Sequence, residues 1–379
     1  MKRQARALLA AALALALFSA CSGNDTAPKY SSTQVDREVT TLSGDLQALQ
    51  QETLSDPAVA SIFYILQNLG SSLSPGNLSL GPATLIKVTT LDASRLVPLI
   101  QPVELLPREG INMVTDGSFT PAPPTDYEIL WQVDPTTYAD FRVDWDREPT
   151  VEVITRSNTR AERPVSSEAG LFIGTDVQNN QLLEPERVGS AELEADWYSC
   201  NGNYIDEPTM LKLGAEVGER SKLGLEAEFA VREGAHDTVS GSLAFSGKTD
   251  QGSFEQRLEL SASGDLERDA NCWFTDFNPT RATVRFYTKA TRGGSTRSLE
   301  FSATFQNFTY DDDGDLTSLD VSGALKINGS VAAAFDGRLD DLEGDCPGAN
   351  VNVRFADRTT TLQSWLTDNG LCSSTTASF

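Results

Sequence analysis

The sequence is poor in the residues that carry most enzymatic and metal chemistry. It holds one histidine, His236, and three methionines in 379 residues, so catalysis built on imidazole has a single candidate base. His236 is flanked by Gly234, Ala235 and Asp237 just ahead of an alternating segment, the composition of a solvated turn. No Gly-Xaa-Ser-Xaa-Gly elbow precedes a helical pattern, and no cysteine pair has the spacing of a zinc site. Carboxylates are too abundant, at 54 Asp and Glu, for any pair to stand out as a glycosidase couple. No catalytic residue is therefore nominated and no cofactor is called for. Basic residues are scarce as well: 30 Lys and Arg leave a net charge of −24, and a polyanion of that size repels nucleic acid. Beyond the first twenty residues, no apolar run reaches the ~18 residues that a spanning helix needs.

The N-terminus is where apolar residues concentrate. Lys2, Arg3 and Arg6 precede residues 7–18, which are apolar without interruption, and Ser19-Ala20-Cys21 follow. A basic start, a short apolar stretch and small residues at the end make a secretory signal over 1–20, too short to span as a helix. Leu17-Phe18-Ser19-Ala20-Cys21 resembles the lipobox of bacterial lipoproteins, with Phe18 standing where leucine is usual. The resemblance implies that the Cys21 thiol receives a diacylglycerol and that Cys21 becomes the first residue of the mature chain. The partner so implied is a membrane, reached through a lipid anchor in which each buried CH₂ is worth about 0.8 kcal/mol. Ser22, rather than Asp, after the cysteine is compatible with onward export. The expected location is the cell envelope, at the outer membrane or the periplasmic face of a membrane. Loss of the three basic residues of the signal takes the charge from −24 to −27.

Four cysteines remain, Cys200, Cys272, Cys346 and Cys372, an even number in a chain bound for an oxidising compartment. Two disulfides are expected. Of the three pairings, the sequential one, Cys200 with Cys272 and Cys346 with Cys372, is preferred.

Periodicity divides the rest. A polar tether over 21–32 leads into a helical segment over 33–70. There Val35, Val39, Leu42, Leu46 and Leu49 form one apolar seam and, after Asp56-Pro57, Val59, Ile62, Phe63, Leu66 and Leu69 form a second. This reads as a helical hairpin capping the main domain. Residues 71–109 are a loop-rich connection and 110–194 a β-rich lobe with strands around Trp131, Phe141 and Val143, Trp145, and Val151 and Val153. Beyond it the period is two: Leu225, Ala227, Phe229 and Val231; Val239, Gly241, Leu243 and Phe245; Leu258 and Leu260; Val284 and Phe286; Phe301, Ala303 and Phe305; Val331, Ala333 and Phe335; Val351 and Val353. Such alternation predicts antiparallel sheets with one apolar face. Residues 239–247 are echoed by 321–329, and Cys200, Cys272 and Cys346 fall at near-equal intervals, each followed by a proline taken to open a new strand. The expected fold is mainly β, a sandwich or barrel-like arrangement. It comprises two tandem β-units, 195–271 and 272–345, behind an N-terminal helical segment, with a terminal strand, short helix and tail over 346–379. A transmembrane barrel is disfavoured because the alternating runs are shorter than the ~9–11 residues a spanning strand needs.

Asp311, Asp313 and Asp315 lie in the cluster Asp311-Asp312-Asp313-Gly314-Asp315. Leu316 and Ser322 stand where an EF-hand needs glycine and glutamate, so the reading is a hairpin turn at Asp313-Gly314, with weak calcium binding as the alternative. Asp340, Asp341, Glu343 and Asp345 carry the same two readings. Trp131, Trp145, Trp197, Trp273 and Trp365 are expected to pack in cores, with stacking on a sugar as the other use. The whole resembles β-rich envelope lipoproteins, a likeness that assigns no function residue by residue. The expectation is a membrane-anchored, non-enzymatic binding or scaffolding protein with a protein, glycan or lipid ligand. The alternatives are a carrier of amphiphiles in a β-lined cavity, and a hydrolase.

Overall fold

The computed structural model describes residues 27–56, 58–59, 110–113, 119–120, 127–134, 136–143, 150–178, 181–218, 221–311, 316–340 and 348–368. Helix α1 (Ser32–Leu54) opens on a capping box: the Ser31 hydroxyl accepts from Gln34 N and the Gln34 carboxamide accepts from Ser31 N, satisfying two otherwise orphaned donors. The strands that follow are β1 (Gly110–Met113), β2 (Phe119–Thr120), β3 (Tyr127–Asp134), β4 (Thr137–Val143), β5 (Thr150–Ile154), β6 (Arg160–Pro164), β7 (Ser166–Gly174), β8 (Asp176–Gln178), β9 (Gln181–Leu183) and β10 (Glu186–Cys200). They continue as β11 (Asn203–Val217), β12 (Lys222–Arg232), β13 (Asp237–Thr249), β14 (Gly252–Arg268), β15 (Phe274–Arg292), β16 (Ser295–Tyr310), β17 (Leu316–Ile327), β18 (Ser330–Asp340), β19 (Val351–Arg354) and β20 (Thr359–Thr361), closed by helix α2 (Leu362–Asp368).

The fold is mainly β, antiparallel, with an N-terminal helix. From β10 to β20 each strand pairs with the next in one continuous meander. β7 joins it to β4 and β3, and among the described residues only β1–β3 and β5–β11 pair in parallel. Among the described residues β19 and β20 do not pair with β1–β7, so the sheet does not close on itself. Strands β10–β18 run to between 11 and 19 residues, longer than the alternating runs suggested. Polar residues such as Lys248 and Thr249 on β13 and Ser253 and Glu255 on β14 continue the ladder where the alternating runs stop. The break between the two tandem units falls in the turn between β14 and β15, which pair along their lengths from Gly252↔Arg292 to Arg268↔Phe274. Both units thus belong to one sheet, and residues 194 and 195 lie mid-strand in β10.

Two prolines taken to open strands instead lie within them. Pro208 faces Trp197 where β10 changes register, and Pro279 faces Gly264 at a shift between β14 and β15. A residue without an N–H fits at such irregularities because the ladder has already lost a bond there. The echoed segments hold matching places, 239–247 on β13 and 321–327 on β17. Gly264 and Gly337 also share a role: a Cβ on either would collide with the next strand's backbone, at Asn278 O and Asn350 O. At Val331 the alternation fails. A register shift between Leu325 and Lys326 turns Val331 away to pack with Ala324 and Ala334, and residues 331–335 are all buried.

Helix α1 lies across the inner face at one end of the strands. Its seam is buried as the spacing predicts: Leu42, Leu46 and Leu49 pack on Phe254 and Ala290, and Val35 joins the principal core of Phe286, Phe301, Phe305, Leu319 and Phe335. Polar contacts fix its course from β18 to β12. Lys29 N donates to Val331 O at 2.8 Å, Ser32 N to Asp357 at 2.9 Å, Arg297 to Asp45 at 2.6 Å, Thr249 Oγ1 to Glu52 at 2.8 Å and Ser221 N to Asp56 at 3.1 Å. Ala58 and Val59 then pack on Ala169, Leu171, Val188 and Val217. Pro57, Ile62, Phe63, Leu66, Leu69 and the 71–109 connection lie outside the described residues. The polar partners of residues 29–56 lie at or beside the turns β11–β12, β13–β14, β15–β16, β17–β18 and β19–β20, which define the helix end of the sheet. The opposite turns, β10–β11, β12–β13, β14–β15 and β16–β17, define the cystine end.

Candidate functional site

At the cystine end three loops converge. Cys200 closes β10, and Asn201 and Gly202, with φ of 50° and 83°, make the two-residue turn into β11 that only residues tolerant of positive φ supply. The β14–β15 loop is built on Asp269, whose carboxylate accepts from Asn271 N at 2.8 Å and Trp273 N at 2.9 Å, an Asx turn. It carries Cys272, which is joined to Cys200 by a disulfide with a Cα–Cα distance of 6.2 Å. The third loop, 155–159, joins β5 to β6 through a knot of hydroxyls in which Thr155 meets Ser157 at 2.9 Å and Thr159 at 2.7 Å. β5 is held against β11 by parallel pairing at Tyr204 and Ile205. β6 is held there by Arg163, which donates to both Asp206 oxygens at 2.8 Å.

Arg268 and Glu207 lock these loops together. Glu207 accepts from Arg156 at 2.9 Å, from Arg268 at 2.9 Å and from Phe274 N at 3.1 Å. Arg268 also donates to Glu233 at 2.7 Å and to Cys272 O at 2.7 Å, with its guanidinium 3.6 Å from the Tyr198 ring centroid. Burial and the adjacent Glu233 carboxylate hold the Tyr198 phenol above its ordinary range, so it stays protonated and donates to Glu233 at 3.2 Å. Such a fully paired network holds loop positions more firmly than any single ion pair.

Between the loops is a cleft of about 460 Å³, lined by Ile154, Arg156, Asn158, Asn203, Asn271 and Trp273 among others. Ile205, buried, lies at its base. Arg156 stands over the Trp273 ring at 5.2 Å. The side chains of Asn158, Asn203 and Asn271 are exposed and make no hydrogen bond among the described residues. Sequence reasoning nominated neither these amides nor Arg156. The available signal was local: both cysteines sit among asparagines, in Cys200-Asn201-Gly202-Asn203 and Asn271-Cys272-Trp273.

The tryptophans separate by role. Trp197 and Trp365 are buried, as expected of core residues, whereas Trp273 is half-buried at the cleft. Trp145 lies outside the described residues. Of the expected disulfides, Cys200–Cys272 is present; Cys346 and Cys372 lie outside the described residues, as does Cys21. Asp311 is exposed just beyond β16, and Tyr310 pairs with Leu316. Asp313 and Asp315 are outside the described residues, as are Asp341, Glu343 and Asp345, while Asp340 is ion-paired to Arg338 at 3.3 Å. Where β15–β18 face α1 and α2, side chains of the principal core fill the inner face.

His236 is exposed in the β12–β13 turn. Its neighbour Asp237 is committed to that turn, accepting from Gly234 N at 3.0 Å and from Leu266 N at 2.9 Å. These bonds hold its carboxyl below the ordinary value of 3.8, the Leu266 bond contributing most. With the folded pKa depressed, protonation favours the unfolded chain. The stabilisation is complete above the ordinary value and is lost as pH falls through the folded one. Asp237→Ala is therefore expected to flatten the acid limb of a Tm-against-pH curve; an unchanged limb would refute this linkage.

The site is thus a disulfide-closed polar cleft at the end of an antiparallel sheet. Compared with protein-family models, curated proteins and solved structures, the chain matches none.

Proposed function

We propose that this chain is a lipid-anchored envelope protein that binds a ligand at the cystine end without transforming it. The observation that carries the reading is polarity. The chain enters the fold at the helix end, where Lys29 N bonds Val331 O, and the cleft occupies the other end. Lys29 is eight residue steps beyond Cys21, and such a stretch reaches at most about 28 Å. A diacylglycerol on Cys21 would therefore keep the helix end near the bilayer. The 17 residues of β14, at about 3.3 Å each, would set the cleft roughly 50 Å further out. The net charge of −24 also favours a standing orientation over one lying on an anionic surface.

The test uses the full-length protein reconstituted in vesicles whose headgroups bear a photo-crosslinker. Peptides spanning Arg292–Ser295 and Ile327–Ser330 should be labelled. Labelling of Asn201–Asn203 or Asp269–Trp273 in their place, or a Cys21→Ser protein that still floats with the vesicles, would refute the proposal.

A further inference from the structure

We infer that the cystine-end cleft is a binding site for a neutral, N-acetylated sugar. This deepens the preceding reading and rests on it for the direction in which the cleft faces. Its volume, about 460 Å³, falls within the roughly 300–1,000 Å³ of small-ligand sites. The polar groups offered are carboxamides: Asn158, Asn203 and Asn271 are exposed and unpaired among the described residues. Each carboxamide both donates and accepts, matching hydroxyls and acetamides, which do the same. Asn158 has φ of 59°, so its turn alone explains asparagine there. No positive φ explains Asn203 or Asn271.

Charge and shape narrow the class. Arg156 lines the cleft, but Glu207 neutralises it at 2.9 Å, and an anionic ligand would have to overcome the field of a strongly acidic chain. Trp273 is half-buried at the cleft with Arg156 5.2 Å over its ring, so a pyranose stacks there by taking the place of the guanidinium on the indole face. Ile154 and Ile205, paired across β5 and β11, form an apolar patch suited to an acetyl methyl. A peptide added as a further strand is disfavoured, because β11 already pairs with β10 on one side and β5 on the other, leaving no free ladder there.

The test is calorimetric titration of the full-length protein in detergent with a β-1,4-linked tetramer of N-acetylglucosamine and, separately, with an α-1,4-linked tetramer of glucose. Binding of the N-acetylated tetramer at least tenfold tighter than the glucose tetramer is expected. Trp273→Ala and the double variant Asn203→Ala/Asn271→Ala should each weaken it at least tenfold. The double variant removes only exposed, unpaired side chains, so it reads binding even if Trp273→Ala disturbs the loop. Tyr287→Ala, well along β15 from the cystine end and outside the cleft lining, should leave affinity unchanged. Equal affinity for the two tetramers would overturn the acetamide assignment. Binding of neither, or binding indifferent to all these variants, would overturn the site. Because the orientation of the anchored protein is read by lipid crosslinking, failure of either proposal leaves the other separately judged.

Discussion

Replacing Cys200 and Cys272 together by alanine is expected to lower the free energy of unfolding by about 4 kcal/mol, the chain-entropy value for a closed loop of this length. The two residues are 72 apart in sequence, and the loop between them contains β11 to β14, of which β11 carries Asn203 and Ile205 of the cleft. In the folded state the loss should be concentrated at the β14–β15 loop. Without the cross-link that loop is held by the bonds of Asp269 and by Arg268 donating to Cys272 O at 2.7 Å. Urea denaturation of the oxidised parent and the double variant measures the global term. The sugar titration measures the local one, since Asn271 and Trp273 both lie on the loop. A loss under about 1 kcal/mol would mean that the unfolded chain is already compact across this loop, and the disulfide would then serve geometry alone.

The cystine shows what could be read from the sequence and what could not. An even cysteine count in a chain read as exported pointed to two disulfides, and of the three pairings the preferred one contains the link between Cys200 and Cys272, 72 residues apart. The same holds for α1, whose 3.6-residue seam at Val35, Leu42, Leu46 and Leu49 is buried as spaced, and for the alternating faces of β15 and β16 at Val284, Phe286, Phe301, Ala303 and Phe305, whereas on β18 the alternation fails at Val331. Long-range assembly was less legible. β10 and β11 carry the same alternation, with Leu193, Ala195 and Trp197 against Glu192, Glu194 and Asp196, and Leu211, Leu213, Ala215 and Val217 against Lys212, Gly214 and Glu216, but a boundary placed at 194–195 cut across the first of them. Pro208 and Pro279 looked like boundaries because a missing N–H is ordinarily a stop, and only the register shows that each sits at an irregularity. The cleft was illegible for a different reason. Its amides come from residues 158, 203 and 271, and nothing local brings the 155–159 loop to the cystine. Pairing of β5 with β11 and the ion pairs of Arg156 and Arg163 do so. What a single sequence does offer is the concentration of asparagine beside two cysteines, a sign that these turns serve more than closure.

Truncation of Phe335 to alanine is expected to cost about 3–5 kcal/mol, the range for emptying an aromatic site in a packed core, against about 1–2 kcal/mol for Phe245→Ala, whose ring has less area to lose from burial. Both side chains point to the inner face. Phe335, on β18, is 1% exposed and belongs to the cluster with Phe301, Phe305, Leu319 and Val35. Phe245, on β13, is half-buried and belongs to none of the buried clusters. Denaturant midpoints at constant m-value measure both, and equal losses would contradict an uneven core. The unevenness matters because the two halves of the sheet then have different duties. β15 to β19, with α2 and the start of α1 against them, hold most of the buried aromatic and aliphatic side chains and receive the N-terminal segment. β10 to β14 carry less of that core and are secured at their far end by the disulfide and the paired network around Arg268 and Glu207. Stability drawn from one half leaves the loops of the other free to hold exposed amides and a half-buried tryptophan, which a binding surface needs and a hydrophobic core would not tolerate.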